Sequence, residues 1–458
     1  MDLNIIILAA GLGKRMYSLK PKVLHEVAGK SMICHILDKC IYLKPNKIIV
    51  VCGYLKEDVS NHIINSYPSI DNIIFVQQQQ QLGTADAVKV TLPYLDNSAR
   101  VIVLCGDTPL IKLDTLNNML NLSCADNLVL LTTIVDNPSG YGRVIRNKEN
   151  KVIKIVEDKD ANENEKKISE INAAIYLFNQ CYLESLLLHI ENNNQQQEFY
   201  LTDIIDIAID HKIEIIPITV CQNEVIGVNN KIQLELVERL YQRQLAINLM
   251  ETGTILLDKD RIDIRGNLVV GMDCYIDINC IFIGNVQLGN NVKVMANSII
   301  KDSVIADNSE IKPNSIIEDS IIANNVSIGP FARIRPNSNI GSNVHIGNFV
   351  EVKKSIVNNG SKINHLTYIG DAEIGSNVNI GAGTVTCNYD GKSKHQTLID
   401  DDVFVGSGSM LVAPLKLAKG CIIGAGSVIT KDTPEDELTI ARAKQVTIVG
   451  WKKKYRNS

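Results

Sequence analysis

The residues best suited to chemistry near the start of the chain are two glycines and two cations that follow an apolar run. Gly11 and Gly13 come directly after the run, and Arg15 and Lys22 follow them. Two glycines after a strand let backbone N–H groups turn towards an anion, and the cations would add fixed positive charge. The spacing is not a Walker loop, because no Gly-x-x-x-x-Gly-Lys-Ser/Thr is present. It is not the dinucleotide fingerprint either, because Met16 stands where the third glycine belongs. The pattern predicts a phosphate-binding turn, with a plain tight turn as the alternative.

An acidic residue ends another apolar run. Asp107 follows Gly106, directly after the run at 101–105. A carboxylate at the carboxyl end of a strand is a natural ligand for Mg²⁺ beside phosphates. The alternative is a helix N-cap for the segment after Pro109.

Two cations in the second half of the chain recur at a spacing that can stack them. Arg335 follows Ile334 and Lys353 follows Val352, so the two cations are eighteen positions apart. If eighteen residues make one coil of stacked strands, the cations lie on neighbouring rungs about 4.8 Å apart. Cations so close repel unless an anion lies beside them, so the spacing predicts a phosphate site. Two solvated surface charges are the alternative.

His365 is the histidine best placed near these cations. It follows Ile363 by two positions, which points it outward in the same register, and Tyr368 comes shortly after it. An imidazole titrates near about pH 6.5 and can take a proton from an amine at neutral pH. The alternative is a surface histidine without a chemical role.

A six-residue repeat must position these second-half residues. Each hexad is led by an apolar residue, and Gly, Asn or Asp usually follows soon after. The leading residues are Val270, Ile276, Phe282, Leu288, Val294, Ile300, Ile322, Ile328, Ile334, Ile340, Ile346, Val352, Ile399, Val405, Leu411, Leu417, Ile423 and Ile429. This period predicts a parallel β-helix of about ten coils between residues 264 and 440. Residues 381–398 break the period and contain Asn388-Tyr389-Asp390-Gly391, which predicts a loop thrown out of one coil.

Two cysteines share the fifth position of their hexads with small residues. Cys274 and Cys280 occupy the slot that elsewhere holds Val286, Val292, Ser338, Val344 and Val350. We expect this slot to point inward, so these thiols are predicted to be packing residues.

The first half of the chain predicts the sheet that must carry the glycine turn and Asp107. Short, continuously apolar runs at 4–8, 47–52, 72–76, 101–105 and 128–134 suit strands buried on both faces of a mostly parallel sheet. Helical segments are predicted at 31–43, 85–95 and 113–122. In such α/β sheets ligands bind at the carboxyl ends of the strands.

One further helix is predicted at 230–251 as the joint between two domains. Ile232, Leu236, Leu240 and Tyr241 would share one of its faces, and Gly253 would end it.

Bulk composition excludes several classes of protein. The chain has 458 residues, enough for two domains, and a formal net charge of −5, which indicates no nucleic-acid footprint. No apolar run approaches the roughly 18 residues that span a bilayer, and the start lacks the basic flank of a signal peptide. Eleven cysteines never show a Cys-x-x-Cys spacing. That usage predicts reduced thiols in a cytoplasm, without a disulfide frame or zinc site.

At this point a family resemblance becomes close. Leu8-Ala-Ala-Gly-x-Gly-x-Arg-Met16 with Pro21-Lys22 resembles the signature of sugar-1-phosphate nucleotidyltransferases. The later motifs are Gln78 with Gln81-Leu-Gly-Thr84, Gly140-Tyr-Gly-Arg143, Ile155-Val-Glu157, Glu170-Ile-Asn172 and Gly227-Val-Asn-Asn230. With the hexads, the chain resembles bifunctional N-acetylglucosamine-1-phosphate uridylyltransferases/glucosamine-1-phosphate N-acetyltransferases over nearly its full length.

The resemblance implies a fold and two activities. An α/β Rossmann-like nucleotidyltransferase domain at 1–229 would precede the joint at 230–251 and a left-handed parallel β-helix at 252–458. The β-helix would acetylate glucosamine 1-phosphate from acetyl-CoA, and the first domain would join the product to UTP with Mg²⁺. The resulting UDP-N-acetylglucosamine would feed bacterial cell-wall and lipopolysaccharide synthesis. Only small-molecule substrates and a cytoplasmic homotrimer are implied, with no nucleic acid or membrane partner.

The same resemblance implies roles for individual residues of the first domain. UTP or the UDP-sugar would be held by Leu8, Ala10, Gly11, Gly13, Arg15, Lys22, Gln78, Gly83, Thr84, Gly106, Asp107, Gly142, Glu157, Asn172 and Asn229. Asp107 and Asn229 would ligate Mg²⁺, and Arg15 and Lys22 would assist the reaction. Cys105 departs from relatives that often carry Tyr there, and we expect it to abut the nucleotide and alter the fit.

The resemblance also implies roles in the β-helix, with His365 as the base of acetyl transfer. The amino-sugar phosphate would be held by Arg335, Lys353, Tyr368, Asn379 and Lys394, and acetyl-CoA by Ala382, Asn388, Tyr389, Ser407, Ala425 and Arg442. Glu351 is a weaker candidate to orient His365 or the sugar amine.

Two other functions stay open on sequence alone. A nucleotidyltransferase with a passive, assembling β-helix would make His365 incidental, although such a helix has no use for the acetyl-CoA set. A wholly non-catalytic scaffold is disfavoured by the Gly11–Lys22 loop and Asp107.

Overall fold

The computed structural model describes residues 2–11, 13–96, 99–124 and 126–454. The chain divides into two compact units, residues 1–241 and 242–458, and the division falls inside one long helix. No helix in the described part of the chain is long and apolar enough to cross a membrane.

Between residues 32 and 134 the first unit alternates strands and helices, as predicted, and three further strands then follow without an α-helix between them. Its strands are β1 (Leu3–Ala9), β2 (Glu26–Val27), β3 (Lys30–Ser31), β4 (Lys47–Cys52), β5 (Ile73–Gln77), β6 (Arg100–Cys105), β7 (Asn127–Ile134), β8 (Arg143–Arg146), β9 (Val152–Val156), β10 (Glu170–Asn179) and β11 (Glu214–Val220). Its helices are α1 (Met32–Tyr42), α2 (Lys56–Ser66), α3 (Thr84–Lys89), α4 (Leu113–Leu122), α5 (Gln180–Leu187) and α6 (Ile204–Asp210), with short 3₁₀ turns at Lys14–Met16, Lys22–Leu24, Leu92–Tyr94, Glu165–Lys167, Leu201–Asp203 and Gln222–Glu224.

The helix predicted at 85–95 is shorter than expected. It ends at Lys89, and a separate 3₁₀ turn spans Leu92–Tyr94. Pro93 explains the break, because proline lacks an N–H and its ring clashes with the preceding helical turn.

The main sheet has the order β11-β7-β10-β6-β1-β4-β5. Strand β1 pairs in parallel with both β4 and β6, whereas β10 runs antiparallel to β6 and β7. Strands β1 and β6 are therefore neighbours, and their carboxyl ends lie at the same edge of the sheet. Ligands of open α/β sheets bind at such an edge, where the strand order reverses.

Helix α7 (Lys231–Glu251) confirms the predicted helix, but the predicted apolar face is wrong in part. Ile232 is 80% exposed and Leu236 is 44% exposed. The buried apolar residues of the helix are Val237 and Ala246, and Leu234, Leu240 and Tyr241 pack partly around Val237. Apolar and polar residues are not clearly separated onto two faces of this helix, so its sequence allows more than one assignment of the buried face.

The second unit is a left-handed parallel β-helix. One wall is an eleven-stranded sheet of described residues, here the first wall: β12 (Ile255–Leu256), β14 (Tyr275–Ile276), β16 (Lys293–Val294), β19 (Glu310–Ile311), β22 (Ser327–Ile328), β25 (His345–Asn348), β28 (Lys362–His365), β31 (Asn379–Ile380), β34 (Phe404–Val405), β37 (Ile422–Ile423) and β39 (Leu438–Thr439). The chain ends its described part in α8 (Trp451–Lys454).

The other two walls share one hydrogen-bonded sheet. Its strands are β13 (Ile262–Val270), β15 (Cys280–Leu288), β17 (Ile299–Lys301), β18 (Val304–Ile305), β20 (Ile316–Glu318), β21 (Ser320–Ile322), β23 (Arg333–Ile334), β24 (Ser338–Ile340), β26 (Glu351–Lys353), β27 (Ile356–Val357), β29 (Tyr368–Gly370), β30 (Ala372–Ile374), β32 (Val385–Cys387), β33 (Thr397–Ile399), β35 (Met410–Val412), β36 (Leu415–Leu417) and β38 (Val428–Ile429). We call the wall that contains β23, β26 and β29 the second wall, and the wall that contains β24, β27 and β30 the third wall.

The hexads fill the interior as the period predicts. Every leading residue is buried except Val270, which is half-buried against the core. The fifth-position slot is also buried, so the packing role predicted for Cys274 and Cys280 is confirmed. Asn and Asp recur because many corner residues adopt positive φ, as Asn297 and Asn343 do at 61°. These short polar side chains tolerate that conformation better than most.

The predicted loop exists but is shorter than residues 381–398. Strand β32 still pairs with β29 through Val385 and Tyr368, so the coil stays regular to Cys387. Only residues 388–396 leave it, before β33 rejoins the stack. Asp390 closes the turn by accepting hydrogen bonds from the backbone of Lys392 and Ser393, each at 2.7 Å. Thr386 stands at a leading position of this coil and is buried, so a search for apolar leading residues misses a coil that is regular.

Candidate active sites

Four polar side chains predicted for the first site converge at the carboxyl edge of β1 and β6. The Lys22 ammonium donates to the Asp107 carboxylate and, at 3.2 Å, to Asn229 Oδ1. The Arg15 guanidinium donates to the same Asn229 oxygen at 3.1 Å. The backbone of Asn229 is held in place as well, because its N–H donates to Gln233 Oε1 at 2.8 Å. Segments distant in sequence thus meet as one cluster of two cations and two oxygen ligands.

The glycine turn brings Lys22 into this cluster. Gly13 has a φ of 60°, and a Cβ there would lie 3.0 Å from Lys22 Cβ. Gly11 faces open space within 4 Å of its missing Cβ. The turn therefore needs glycine for conformation at one position and leaves room for a ligand at the other.

The predicted UTP residues on the neighbouring loop hold that loop in shape. Gln78 is 4% exposed and donates to the Gly83 carbonyl at 3.1 Å and to Asp86 at 2.8 Å. Thr84 Oγ1 accepts the Leu201 N–H at 3.0 Å. A side chain at Gly83 would collide with the Phe199 backbone, which explains the glycine. In this structure their side chains are engaged with protein partners.

The predicted sugar-binding residues include a half-buried carboxyl, Glu157. Burial raises the pKa of Glu157 above its ordinary value, and a hydrogen bond from Thr202 at 3.0 Å opposes that shift. A Cβ on Gly142 would lie 3.3 Å from Glu157 Oε1, so glycine keeps the approach open. Asn172 donates to the Tyr176 hydroxyl at 2.7 Å. Hydrogen bonds to neighbouring side chains thus hold Glu157 and Asn172 in place.

The second site begins with the two stacked cations, which lie on the same wall of the β-helix. Arg335 pairs with Glu351 at 2.7 Å, and Lys353 pairs with Asp371 at 3.5 Å. These two carboxylates are anions that offset the repulsion between the cations, so the spacing alone does not require a phosphate. The phosphate site stays a prediction. Lys394 lies next to Lys353, which lowers the pKa of the Lys394 ammonium. With Lys354 also near Asp371 at 3.8 Å, four cations face two carboxylates, and the cluster keeps a positive excess.

His365 lies at the end of the first wall, at the corner that leads to Tyr368 on the second wall. It is exposed, and its Nδ1 contacts Asn348 Oδ1 at 2.9 Å. Since that oxygen accepts, the contact places the proton on Nδ1 and leaves the lone pair on Nε2. Glu351, the weaker candidate to orient this ring, pairs with Arg335 instead.

His365 shares a column with most of the predicted acetyl-CoA residues. The register pairs Asn348 with His365, and places Ala382, Ser407 and Ala425 at the same position of the next three coils. Arg442 donates to the Ala425 carbonyl at 2.6 Å, at the end of this column.

The remaining predicted acetylation residues lie elsewhere on the same unit. Asn379 stands on the first wall, paired in register with Lys362 and Phe404. Asn388 and Tyr389 begin the 388–396 loop, and Asn388 donates to Asp371. Most of the residues predicted for acetylation therefore form two groups, a cationic group around Asp371 and the column that contains His365.

Comparisons with known proteins show the family of this chain. A family model for nucleotidyl transferases matches residues 4–218, and one for the GMPPB C-terminal domain matches residues 264–338. The bifunctional protein GlmU of Nitrosomonas eutropha is 50% identical over 100% of this chain and 99% of its own length. That of Nitrosospira multiformis is 49% identical over 98% of this chain and 97% of its own length. The chain belongs to the family of bifunctional GlmU proteins.

Two solved structures that are similar to the chain each cover about half of it. One is a glucose-1-phosphate thymidylyltransferase from Bacillus anthracis, 20% identical, with a TM-score of 0.42 over 52% of this chain and 95% of that one. Another is a UDP-glucose pyrophosphorylase complexed with UDP-glucose, 16% identical, with a TM-score of 0.45 over 53% of this chain and 100% of that one.

Three residues that hold site side chains in this GlmU-family chain escaped the motif analysis. Thr202 supports Glu157, Asn348 orients His365, and Asp371 joins Lys353 to Asn388. None belongs to a recognisable motif. Only Asn348 had a usable signal, because it shares the hexad position of His365 one coil earlier.

Cys105 is a packing thiol in this structure. Burial raises its pKa to about 12, and its Sγ donates to the Ala174 carbonyl at 3.5 Å. The thiol therefore stays neutral and is engaged with strand β10. Its effect on nucleotide fit stays a prediction.

Proposed function

We propose that the chain makes UDP-N-acetylglucosamine in two steps at two sites. Residues 252–458 acetylate glucosamine 1-phosphate, residues 1–229 transfer uridylyl to the product, and residues 230–251 join them. The observation that carries this proposal is the presence of two separate polar clusters, each within its own compact unit of a chain that spans the full length of GlmU relatives.

The first cluster suits transfer of a uridylyl group. A phosphate oxygen of N-acetylglucosamine 1-phosphate forms a bond to the α-phosphorus of UTP, and the bond from that phosphorus to the bridging oxygen breaks. Pyrophosphate leaves with the bonding electrons. Arg15 and Lys22 offset the charge that develops on the phosphates, and the rate depends on positioning and electrostatics.

Asp107 and Asn229 form the oxygen donor set that we assign to Mg²⁺. A carboxylate and an amide oxygen are the hard ligands that this ion takes beside phosphates. What supports the fit is that Lys22, a cation, contacts both oxygens in this structure. When bound, Mg²⁺ would neutralise phosphate charge, while Arg15 holds Asn229 in place.

The second cluster suits transfer of an acetyl group to an amine. The amine nitrogen of glucosamine 1-phosphate forms a bond to the thioester carbonyl carbon, and the carbon–sulfur bond breaks. Nε2 of His365 takes the proton that the amine loses, and coenzyme A leaves as the thiolate and is then protonated. The positive excess around Lys353 would hold the sugar phosphate, and the column of small residues above His365 leaves room for acetyl-CoA.

We further propose a cytoplasmic homotrimer. What supports a contact between copies is an exposed apolar ladder next to His365, in which Phe331 and Phe349 stack at 5.3 Å and Leu366 follows one coil later.

All eleven cysteines lie in the described part of the chain and each is free, in keeping with a reducing compartment.

One assay tests the function. The purified chain is incubated with acetyl-CoA, glucosamine 1-phosphate, UTP and Mg²⁺, and products are separated by mass. UDP-N-acetylglucosamine together with free coenzyme A and pyrophosphate is expected. In a second reaction, N-acetylglucosamine 1-phosphate replaces glucosamine 1-phosphate. Pyrophosphate release in the second reaction alone would indicate a passive β-helix, and no product in either reaction would indicate a scaffold.

A further inference from the structure

Asp371 lies at a corner of the β-helix, between β29 on the second wall and β30 on the third wall. Its φ of 48° is typical of the Asn and Asp residues that turn such corners. Its side chain is only 10% exposed, although it is charged. A largely buried carboxylate at a corner needs compensating partners.

Three polar side chains converge on this carboxylate. Lys353 approaches one oxygen at 3.5 Å, Lys354 approaches the other at 3.8 Å, and Asn388 donates to the same oxygen as Lys353. The Asp371 backbone is fixed as well, because its N–H donates to the Lys353 carbonyl at 3.0 Å and its carbonyl accepts the Thr397 N–H at 3.2 Å.

The partners of Asp371 come from different parts of the proposed acetylation site. Lys353 belongs to the proposed sugar-phosphate group, and its side chain is only 18% exposed. Asn388 starts the 388–396 loop and belongs to the proposed acetyl-CoA group. Lys394, from the far side of that loop, lies next to Lys353, and the two ammonium groups repel. A carboxylate at this point offsets that repulsion and holds the loop against the coil.

We infer that Asp371 is a positioning residue that fixes Lys353 and Asn388 together, so that sugar-phosphate and acetyl-CoA binding are assembled as one unit. This inference rests on the proposed acetyl transfer. The Asp371 carboxylate reaches Lys353 by charge and Asn388 by hydrogen bonding, and these two effects can be separated by substitution.

Two variants separate the effects without straining the corner. Asp371→Asn removes the charge but keeps an oxygen for Asn388, and Asp371→Gly removes both, while both residues tolerate positive φ. The matched controls are Asp319→Asn and Asp319→Gly, because Asp319 turns the same corner three coils earlier with a φ of 41°. KM and kcat for acetyl transfer are measured for both substrates, with uridylyl transfer and thermal unfolding in parallel.

The charge-only variant should raise KM for glucosamine 1-phosphate roughly 3- to 10-fold, the size of a lost charge-assisted contact, and change KM for acetyl-CoA less than about twofold. Asp371→Gly should raise both KM values. Asp371→Gly and Asn388→Ala combined should raise KM for acetyl-CoA by less than the product of the two single effects, because the two residues share one contact. Asp319 controls and uridylyl transfer should stay at the wild-type level.

Several results would overturn the inference. Both KM values of Asp371→Gly could stay within twofold of wild type, or its changes could equal those of Asp319→Gly, which would indicate a purely structural corner. Equal effects of Asp371→Asn and Asp371→Gly on acetyl-CoA would refute the role of the Asn388 contact. If Asp371→Gly fails to fold, Asp371→Asn still decides the Lys353 part. A wild-type chain that does not acetylate would instead refute the proposed function.

Discussion

At the residue scale, the first site shows how sequence motifs become one cluster. Lys22, Asp107 and Asn229 are far apart in sequence, and adjacent parallel strands bring the first two to one edge. The sequence predicted these residues because their motifs are specific. It could not predict that Lys22 contacts both oxygen ligands, since that contact depends on how the 3₁₀ turn after Pro21 packs.

Asp107→Ala tests the assignment of the oxygen ligand. We expect uridylyl transfer to fall by at least roughly 10³-fold, because Lys22 loses its carboxylate and the proposed Mg²⁺ loses a ligand. Acetyl transfer should be unchanged. The rates are measured by pyrophosphate release and coenzyme A release on the same preparation.

The matched control is Asp114→Ala, an exposed aspartate in the first turn of α4. It should retain wild-type uridylyl transfer. Near-normal formation of UDP-sugar by Asp107→Ala would remove Asp107 from the mechanism.

His365→Ala tests the proposed base. Loss of a general base typically lowers the rate by roughly 10²–10⁴-fold, and we expect a fall of that size in kcat for acetyl transfer. Uridylyl transfer from supplied N-acetylglucosamine 1-phosphate should be unaffected. His345→Ala, an exposed histidine on the same wall, is the control and should acetylate normally. Unchanged acetylation in His365→Ala would place the base elsewhere.

Residue pairs on the β-helix mark the limit of spacing arguments. A separation of eighteen residues correctly placed Arg335 and Lys353 on one wall. It could not show Glu351 and Asp371 beside them, because the side-chain rotamers that form those pairs leave no periodic signal. The anions beside the two cations are therefore protein carboxylates, and the spacing does not by itself call for a phosphate.

At the element scale, regular repeats were predictable and their exceptions were not. The hexads fixed which residues are buried in nearly every coil, since each inward position recurs every six residues. The coil at 379–387 kept its register although its apolar pattern lapses, because backbone pairing to β29 and β35 continues. In the first unit, the helix predicted at 85–95 is likewise interrupted, and the apolar pattern did not show where it ends.

Ile346→Ala tests the element-level account of the core. Ile346 is 1% exposed, and truncating a buried isoleucine costs about 2–5 kcal/mol. We expect the denaturant midpoint of the β-helix unit to fall accordingly. Ile356→Ala, at a position 41% exposed, should change the free energy of unfolding by less than about 1 kcal/mol. Equal losses in both variants would contradict the assigned inward register.

At the scale of the whole molecule, two units carry two clusters of different chemistry. Length and the change from strand–helix alternation to hexads predicted this division, and the contact boundary within α7 lies inside the predicted joint. A pair of sites within separate units predicts that each reaction can be removed without the other. That independence is the central claim of the account.

Complementation between two variants tests the claim most directly. Asp107→Ala and His365→Ala are each given acetyl-CoA, glucosamine 1-phosphate, UTP and Mg²⁺, separately and mixed, and UDP-N-acetylglucosamine is measured by mass spectrometry. Alone, Asp107→Ala should accumulate N-acetylglucosamine 1-phosphate and His365→Ala should leave glucosamine 1-phosphate untouched, whereas the mixture should form the nucleotide sugar. A mixture that forms none, although each variant is folded, would contradict two separable sites.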